Sequence, residues 1–235
     1  MGDGISYFDI LVRGGGNIGY ILWALSVLTV AMIVRLLIRI RRARLVPEPL
    51  RRQLVTLVPS RQMHKAAEIA SQNPSLLGGI MHAALREHAM GYAAMERAME
   101  ETAEQRSVAM LRQIEWLNVL GNIGPMLGLL GTVWGMILAF FKIVEEGGIP
   151  NPGKLAGAIG IALVTTLLGL AVAIPALAAY AVLRHRVDEL TNQALLIGQE
   201  LIGRAMGGES DPTPALRPPR EAVQVGQGPD PASRT

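Results

Sequence analysis

Long uncharged blocks alternate along this chain with basic stretches and with segments of helical period. Trp116 to Phe141 (WLNVLGNIGPMLGLLGTVWGMILAFF) runs 26 residues without a charge, more than the roughly 20 apolar residues that an α-helix needs to cross a bilayer. Leu155 to Leu183 (LAGAIGIALVTTLLGLAVAIPALAAYAVL) runs another 29. A Gly/Pro/Asn turn separates them, which predicts a transmembrane hairpin. Gly14 to Val34 is a third uncharged block, of 21 residues. Between the first and second blocks the period becomes helical. Pro47, Pro49 and Pro59 punctuate its start, Ser60 and Ser75 are N-cap candidates, and Asn73-Pro74 breaks the helix between them. From Gly91 the run AAMERAMEETAEQRSVAMLRQIEWL has no proline until Pro125, which predicts one helix rising directly into the second span.

Small residues give the hairpin a finer pattern. Gly121, Gly124, Gly128, Gly131 and Gly135 recur at spacings of three and four, one face of a helix. Lipid leaves no water to expel between apolar helices, so close backbone approach at small residues drives helix association, and five in register mark a packing seam. The third span repeats the device with Ala162, Thr166, Gly169, Ala173, Ala176 and Tyr180. The stripe then continues in larger residues through Leu183, Val187, Leu190, Ala194, Ile197 and Leu201, a coiled-coil-like repeat. Two seams on a three-helix unit predict contacts between copies, so Gly131→Leu is expected to disrupt an oligomer.

Polar groups on the seams are few. Thr132 sits beside the glycine row, and Thr165 and Thr166 fall in the middle of the third span. Two readings stay open for each threonine: its hydroxyl back-bonds to its own helix and helps packing, or it faces a lumen or a partner helix.

Charge sets the orientation. Arg35, Arg39, Arg41, Arg42, Arg44, Arg51 and Arg52 follow the first block with only Glu48 against them, and Arg184, His185 and Arg186 follow the third. The positive-inside rule places both clusters in the cytoplasm, where they also face anionic membrane lipid. The expected organisation is a short periplasmic N-terminus (1–13), transmembrane helix 1 (14–38), a cytoplasmic helical region (39–115), transmembrane helix 2 (116–144), a periplasmic turn (145–154), transmembrane helix 3 (155–183), a cytoplasmic helix (184–206) and a disordered Pro-rich tail (207–235). Met1 to Arg13 lacks the features of a cleaved secretory signal, so the first span is expected to be retained. The fold class is an all-α membrane protein with three transmembrane helices, the second and third long and extending into the cytoplasm.

Composition supports this and excludes other classes. Half of the 235 residues are hydrophobic and the formal net charge is +3, too apolar a balance for an ordinary soluble domain. The chain has no cysteine, which removes disulfide and thiolate chemistry. Nucleic-acid binding is not expected. His64, His82, His88 and His185 lack metal-ligand spacing and read as surface residues, while Met81, Met90, Met95, Met99 and Met110 read as gap-filling core. Arg97 and Glu101 stand at a favourable helix spacing on a solvated face. The three uncharged blocks contain no His, Asp, Glu, Lys or Cys, so neither an enzyme's acid/base pair nor a metal site is expected at membrane depth, and no cofactor is implied.

At this point a resemblance emerges. GPMLGLLGTVWGMILAF (124–140) followed by ALVTTLLGLAVAIPALAAY (162–180) resembles the paired signatures of the MotA/TolQ/ExbB proton channel family, most closely its ExbB/TolQ branch. The resemblance implies a proton-motive-force-driven energy transducer of the bacterial inner membrane. Five copies would ring a pore holding the transmembrane helices of an ExbD/TolR-like single-span partner, whose aspartate carries protons, with output through a TonB-like protein or to Tol-Pal-type envelope work. Carried over by motif, Thr132 and Thr166, with Thr165 beside them, correspond to the pore and ion-path threonines, and Pro125 and Pro175 to helix-shaping span prolines. One position departs: Ile161 stands where ExbB and TolQ proteins commonly carry a glutamate. The competing readings are a non-conducting membrane scaffold and a MotA-type stator subunit.

Overall fold

Two very long helices dominate the molecule because the helical period runs through the bilayer segments and out of them, across one internal proline in each, Pro125 and Pro175. A computed structural model describes residues 16–145, 147 and 152–206. The N-terminal segment 1–13, the middle of the 145–154 turn and the tail 207–235 lie outside the described residues. Among the described residues every regular element is helical: α1 (Gly16–Arg39), α2 (Arg42–Leu45), α3 (Glu48–Leu57), α4 (Met63–Gln72), α5 (Leu76–Arg86), a 3-10 turn (His88–Met90), α6 (Tyr92–Glu145) and α7 (Pro152–Met206). The 54 residues of α6 extend about 80 Å at 1.5 Å per residue, far beyond a hydrocarbon core of about 30 Å. Three helices are long and apolar enough to cross a membrane, and the protein is an all-α membrane protein.

The helix limits follow local chemistry. Ser75 caps α5, its Oγ accepting from the Gly78 amide at 3.0 Å. Gly91, at φ +91°, makes the turn that releases α6. Ser60 does not cap α4: its hydroxyl donates to the Thr56 carbonyl at 2.7 Å, and α4 starts at Met63 after Gln62. Back-bonding to the preceding helix satisfies Ser60 where it stands, and a left-handed Arg61 (φ 58°) turns the chain before the next helix begins. Glu101 accepts from Gln105 at 3.2 Å, and no ion pair joins it to Arg97 among the described residues.

Two apolar cores lie outside the small-residue zone. The larger joins α3, α4 and α5 to the extramembrane ends of α6 and α7, around Leu54, Leu77, Ile80, Met81, Met95, Met99, Ala194 and Ile202. The second gathers Leu36 of α1 and Ile40 just after it, Ile114 and Leu117 of α6, and Leu183, Val187 and Leu190 of α7, where the three long helices meet. Met81, Met95 and Met99 fill core space, as their sequence pattern implies, but Met90 is 77 % exposed because it belongs to the 3-10 turn rather than to either packed face. The histidines are less scattered than their spacing suggests. His64 and His88 approach edge to face with ring centroids 5.5 Å apart, and His82 Nδ1 lies 3.1 Å from the Ala67 carbonyl.

Candidate functional site

Within the uncharged zone α6 and α7 touch through backbone. A Cβ on Gly169 would lie 2.6 Å from the Gly124 oxygen, one on Gly124 2.9 Å from the Gly169 oxygen, and one on Gly128 3.0 Å from the Thr165 oxygen. Gly131 faces the Thr165 side chain, Gly135 faces the Ala162 methyl at 3.3 Å, and the Ala173 nitrogen lies 3.5 Å from the Gly124 Cβ position. Gly121 meets the Leu177 side chain at 2.6 Å, with the Leu177 nitrogen at an ordinary contact distance of 3.4 Å. The two small-residue seams therefore pack on each other inside one chain. Within one chain each seam is the other's partner, and a leucine at Gly131 would first collide with Thr165 of its own protomer.

The three threonines separate into different environments. Thr165 is 1 % exposed and its hydroxyl lies 2.7 Å from the Ala162 carbonyl and 3.3 Å from the Gly128 carbonyl of the facing helix. Thr166 is half-buried, with its hydroxyl 3.4 Å from the same Gly128 carbonyl. Thr132, also half-buried, donates back to Leu129 at 2.7 Å. Thr165 thus occupies the helix seam, whereas Thr132 and Thr166 keep partial access to the surroundings. Pro125 and Pro175 lie inside helices that continue through them; each lacks the amide that would bond the residue four positions earlier.

Sequence reasoning passed over a chain of polar groups on the same hairpin. On α6, Glu115, Asn118 and Asn122 follow a three-and-four spacing, and Thr132 lies ten residues further on. Asn122 donates to the Asn118 carbonyl at 2.8 Å, and Asn118 donates to Glu115 at 2.8 Å. Tyr180 of α7, on the Thr166 stripe, donates to Glu115 at 3.3 Å and receives from Arg184 at 3.1 Å. The signal was available as Asn118 and Asn122 inside an otherwise apolar block, four apart. The hairpin thus passes from hydroxyls in mid-span to a carboxylate and a guanidinium at the end of the uncharged zone. Outside the spans, burial and then Glu96 raise the Tyr92 phenol above its ordinary range.

Chemically, such a hairpin donates and accepts hydrogen bonds but holds no titratable carboxylate at depth. A proton crossing here needs a protonatable group from another chain or ordered water. Among the described residues no cluster of three or more His, Asp or Glu is arranged to hold a metal ion.

Comparison with known proteins bears on the same segments. The MotA/TolQ/ExbB proton channel family matches residues 67–194, which include both small-residue seams and the three threonines. Biopolymer transport protein exbB1 of Vibrio cholerae is 29 % identical over 169 residues, covering 69 % of this chain and 74 % of that protein. Biopolymer transport protein ExbB of Pseudomonas putida is 29 % identical over 166 residues, 63 % of this chain and 50 % of that protein. ExbB of Neisseria gonorrhoeae is 40 % identical over a shorter 82 residues, 35 % of this chain and 37 % of that protein.

Proposed function

The chain belongs to the MotA/TolQ/ExbB proton channel family, as an ExbB-like energy-transduction subunit and a multi-pass protein of the inner membrane, and from that premise we propose how it works. It is the channel-forming scaffold of a proton-motive-force-driven complex, and the titratable group at membrane depth comes from an ExbD/TolR-like single-span partner. The observation that carries this reading is the α6–α7 hairpin itself: two long charge-free blocks, with Thr132 and Thr166 partly accessible on the side of the hairpin that ends at Glu115 and Tyr180. Thr132 and Thr166 line the ion path, Thr165 clasps the seam, and Glu115 with Tyr180 forms its inner end.

Several copies, five by family resemblance, surround the partner's helix. The support for assembly is the family resemblance and not the glycine seam, which α6 and α7 use on each other. The basic runs after α1 and α7 support a periplasmic N-terminus and a cytoplasmic extramembrane region. Output runs through a TonB-like protein or to Tol-Pal-type envelope work.

Proton flux into proteoliposomes, measured with this chain alone and with the single-span partner, tests the reading. Flux is expected only with the partner, and Thr166→Ala with Thr132→Ala is expected to reduce it by about tenfold or more while leaving assembly intact, the loss of a positioned hydrogen bond of about 1.4 kcal/mol. Selective transport by this chain alone would refute the division of labour. Full envelope function in the double variant would favour the non-conducting scaffold.

A further inference from the structure

At the end of the first span, α1 and α6 part to leave a cleft of about 620 Å³, within the roughly 300–1,000 Å³ range of small-molecule sites. Its wall on α1 is a single helical row. Leu28 and Met32 lie toward the span, and Arg35 and Arg39 follow at the basic end. From α6 come Arg112, just before the uncharged block, and Trp116, which is 63 % exposed. The cleft is therefore amphipathic along its length: apolar where the bilayer interior lies, tricationic where it ends, with an indole at the boundary, where aromatic side chains favour the headgroup level.

Three guanidinium groups sharing one cleft repel each other unless an anion is present. None of Arg35, Arg39 and Arg112 has an ion pair or hydrogen bond among the described residues. The nearest acid on α6, Glu115, is already engaged by Asn118 at 2.8 Å and Tyr180 at 3.3 Å. Arginine's planar fork matches phosphate oxygens in a bidentate manner. A bare phosphate would satisfy the guanidinium groups but would leave the Leu28–Met32 half of the cleft without use. A phospholipid satisfies both halves at once.

We infer that this cleft is a specific site for an anionic phospholipid of the adjoining leaflet, its phosphate held by Arg35, Arg39 and Arg112 and one acyl chain laid along Leu28 and Met32. The arginines then do more than set topology: a lipid seated between α1 and α6 ties the first span to the central hairpin beside the cluster around Leu36, where the three long helices meet.

The full chain, reconstituted in nanodiscs of phosphatidylglycerol and phosphatidylcholine and released for native mass spectrometry, gives the test. Phosphatidylglycerol is expected to be retained over phosphatidylcholine. R35Q/R39Q/R112Q should cut that retention by at least about tenfold, whereas R41Q/R42Q/R44Q, which removes the same charge from exposed positions outside the cleft, should not. Met32→Trp, which fills the apolar half and leaves all three arginines, should also reduce retention, and millimolar inorganic phosphate should fail to displace the lipid. Equal loss in both triple variants would reduce the effect to diffuse attraction and overturn the site. So would displacement by inorganic phosphate, which marks a bare anion site, or the absence of any lipid preference in the unaltered chain.

Discussion

The same two helices, α6 and α7, are held together by opposite means in their two halves. In the membrane the contact is Gly124, Gly128 and Gly169 against backbone oxygens. Outside it, Met95, Met99, Leu201 and Ile202 fill a core shared with α3, α4 and α5. The difference teaches what the solvent permits. Water rewards burying large apolar side chains, so the extramembrane half gains by making them bulky. Lipid rewards no such burial, so the membrane half gains only by bringing peptide groups and small side chains into van der Waals contact. Gly198 marks the other side of this rule: its Cβ position faces the sulfur atoms of Met99 and Met81, flexible ends rather than a facing backbone.

The largest expected effect tests the extramembrane half. Leu77, fully buried, should lose about 4 kcal/mol as Leu77→Ala, from lost transfer energy and a residual cavity. Chemical unfolding of the purified protein measures it. A loss under 1 kcal/mol would mean that large side chains do not carry this half. In the membrane the sign of size reverses. Gly169→Ala adds one methyl 2.6 Å from the Gly124 oxygen and should destabilise the hairpin by about 3 kcal/mol. Gly121→Ala meets the movable Leu177 side chain and should cost less than about 1 kcal/mol. Unfolding in mixed micelles, followed by tryptophan fluorescence, distinguishes them. Equal costs would show that the seam is generic small-residue packing and not backbone contact at defined positions.

Smaller effects check the local chemistry of the extramembrane half. Removing the α5 cap with Ser75→Ala should cost about 1 kcal/mol in the same unfolding assay, since the Gly78 amide loses its acceptor. The exposed Arg204–Glu200 pair, one helical turn apart, should contribute at most about 0.5 kcal/mol and vanish in high salt. A Glu200→Gln variant with an unchanged salt dependence would confirm that the half is held by its core rather than by its charges.

Much of this was readable in advance, and the reasons differ by element. Gly121 to Gly135 and the stripe from Ala162 to Tyr180 declare themselves because helical spacing is a local property. The uninterrupted passage from Gly91 into the second span is visible because proline and glycine breakers are absent where they would stop a helix. Ser60 was misread because capping depends on which backbone amides are free, and its hydroxyl found the Thr56 carbonyl first. Met90 has the composition of a core residue but the position of a turn. Among the site residues, Thr132, Thr165 and Thr166 were singled out by their rarity. Nothing in their order along the chain distinguished the buried clasp at Thr165 from its two more accessible neighbours.

By itself the sequence determined that three segments are long and apolar enough to cross a membrane, that the second and third carry small-residue faces, and that their uncharged blocks hold no carboxylate. These are matters of hydropathy, helical period and residue type, each legible within a few turns. Only the tertiary structure decided that the two faces meet each other within one chain, that Glu115, Asn118 and Tyr180 join one hydrogen-bonded edge, and that Arg35, Arg39 and Arg112 share a cleft. A face advertises that it will be covered but not by what. The partner is chosen by the rotation of one helix about another, and that rotation is settled by contacts between residues tens of positions apart.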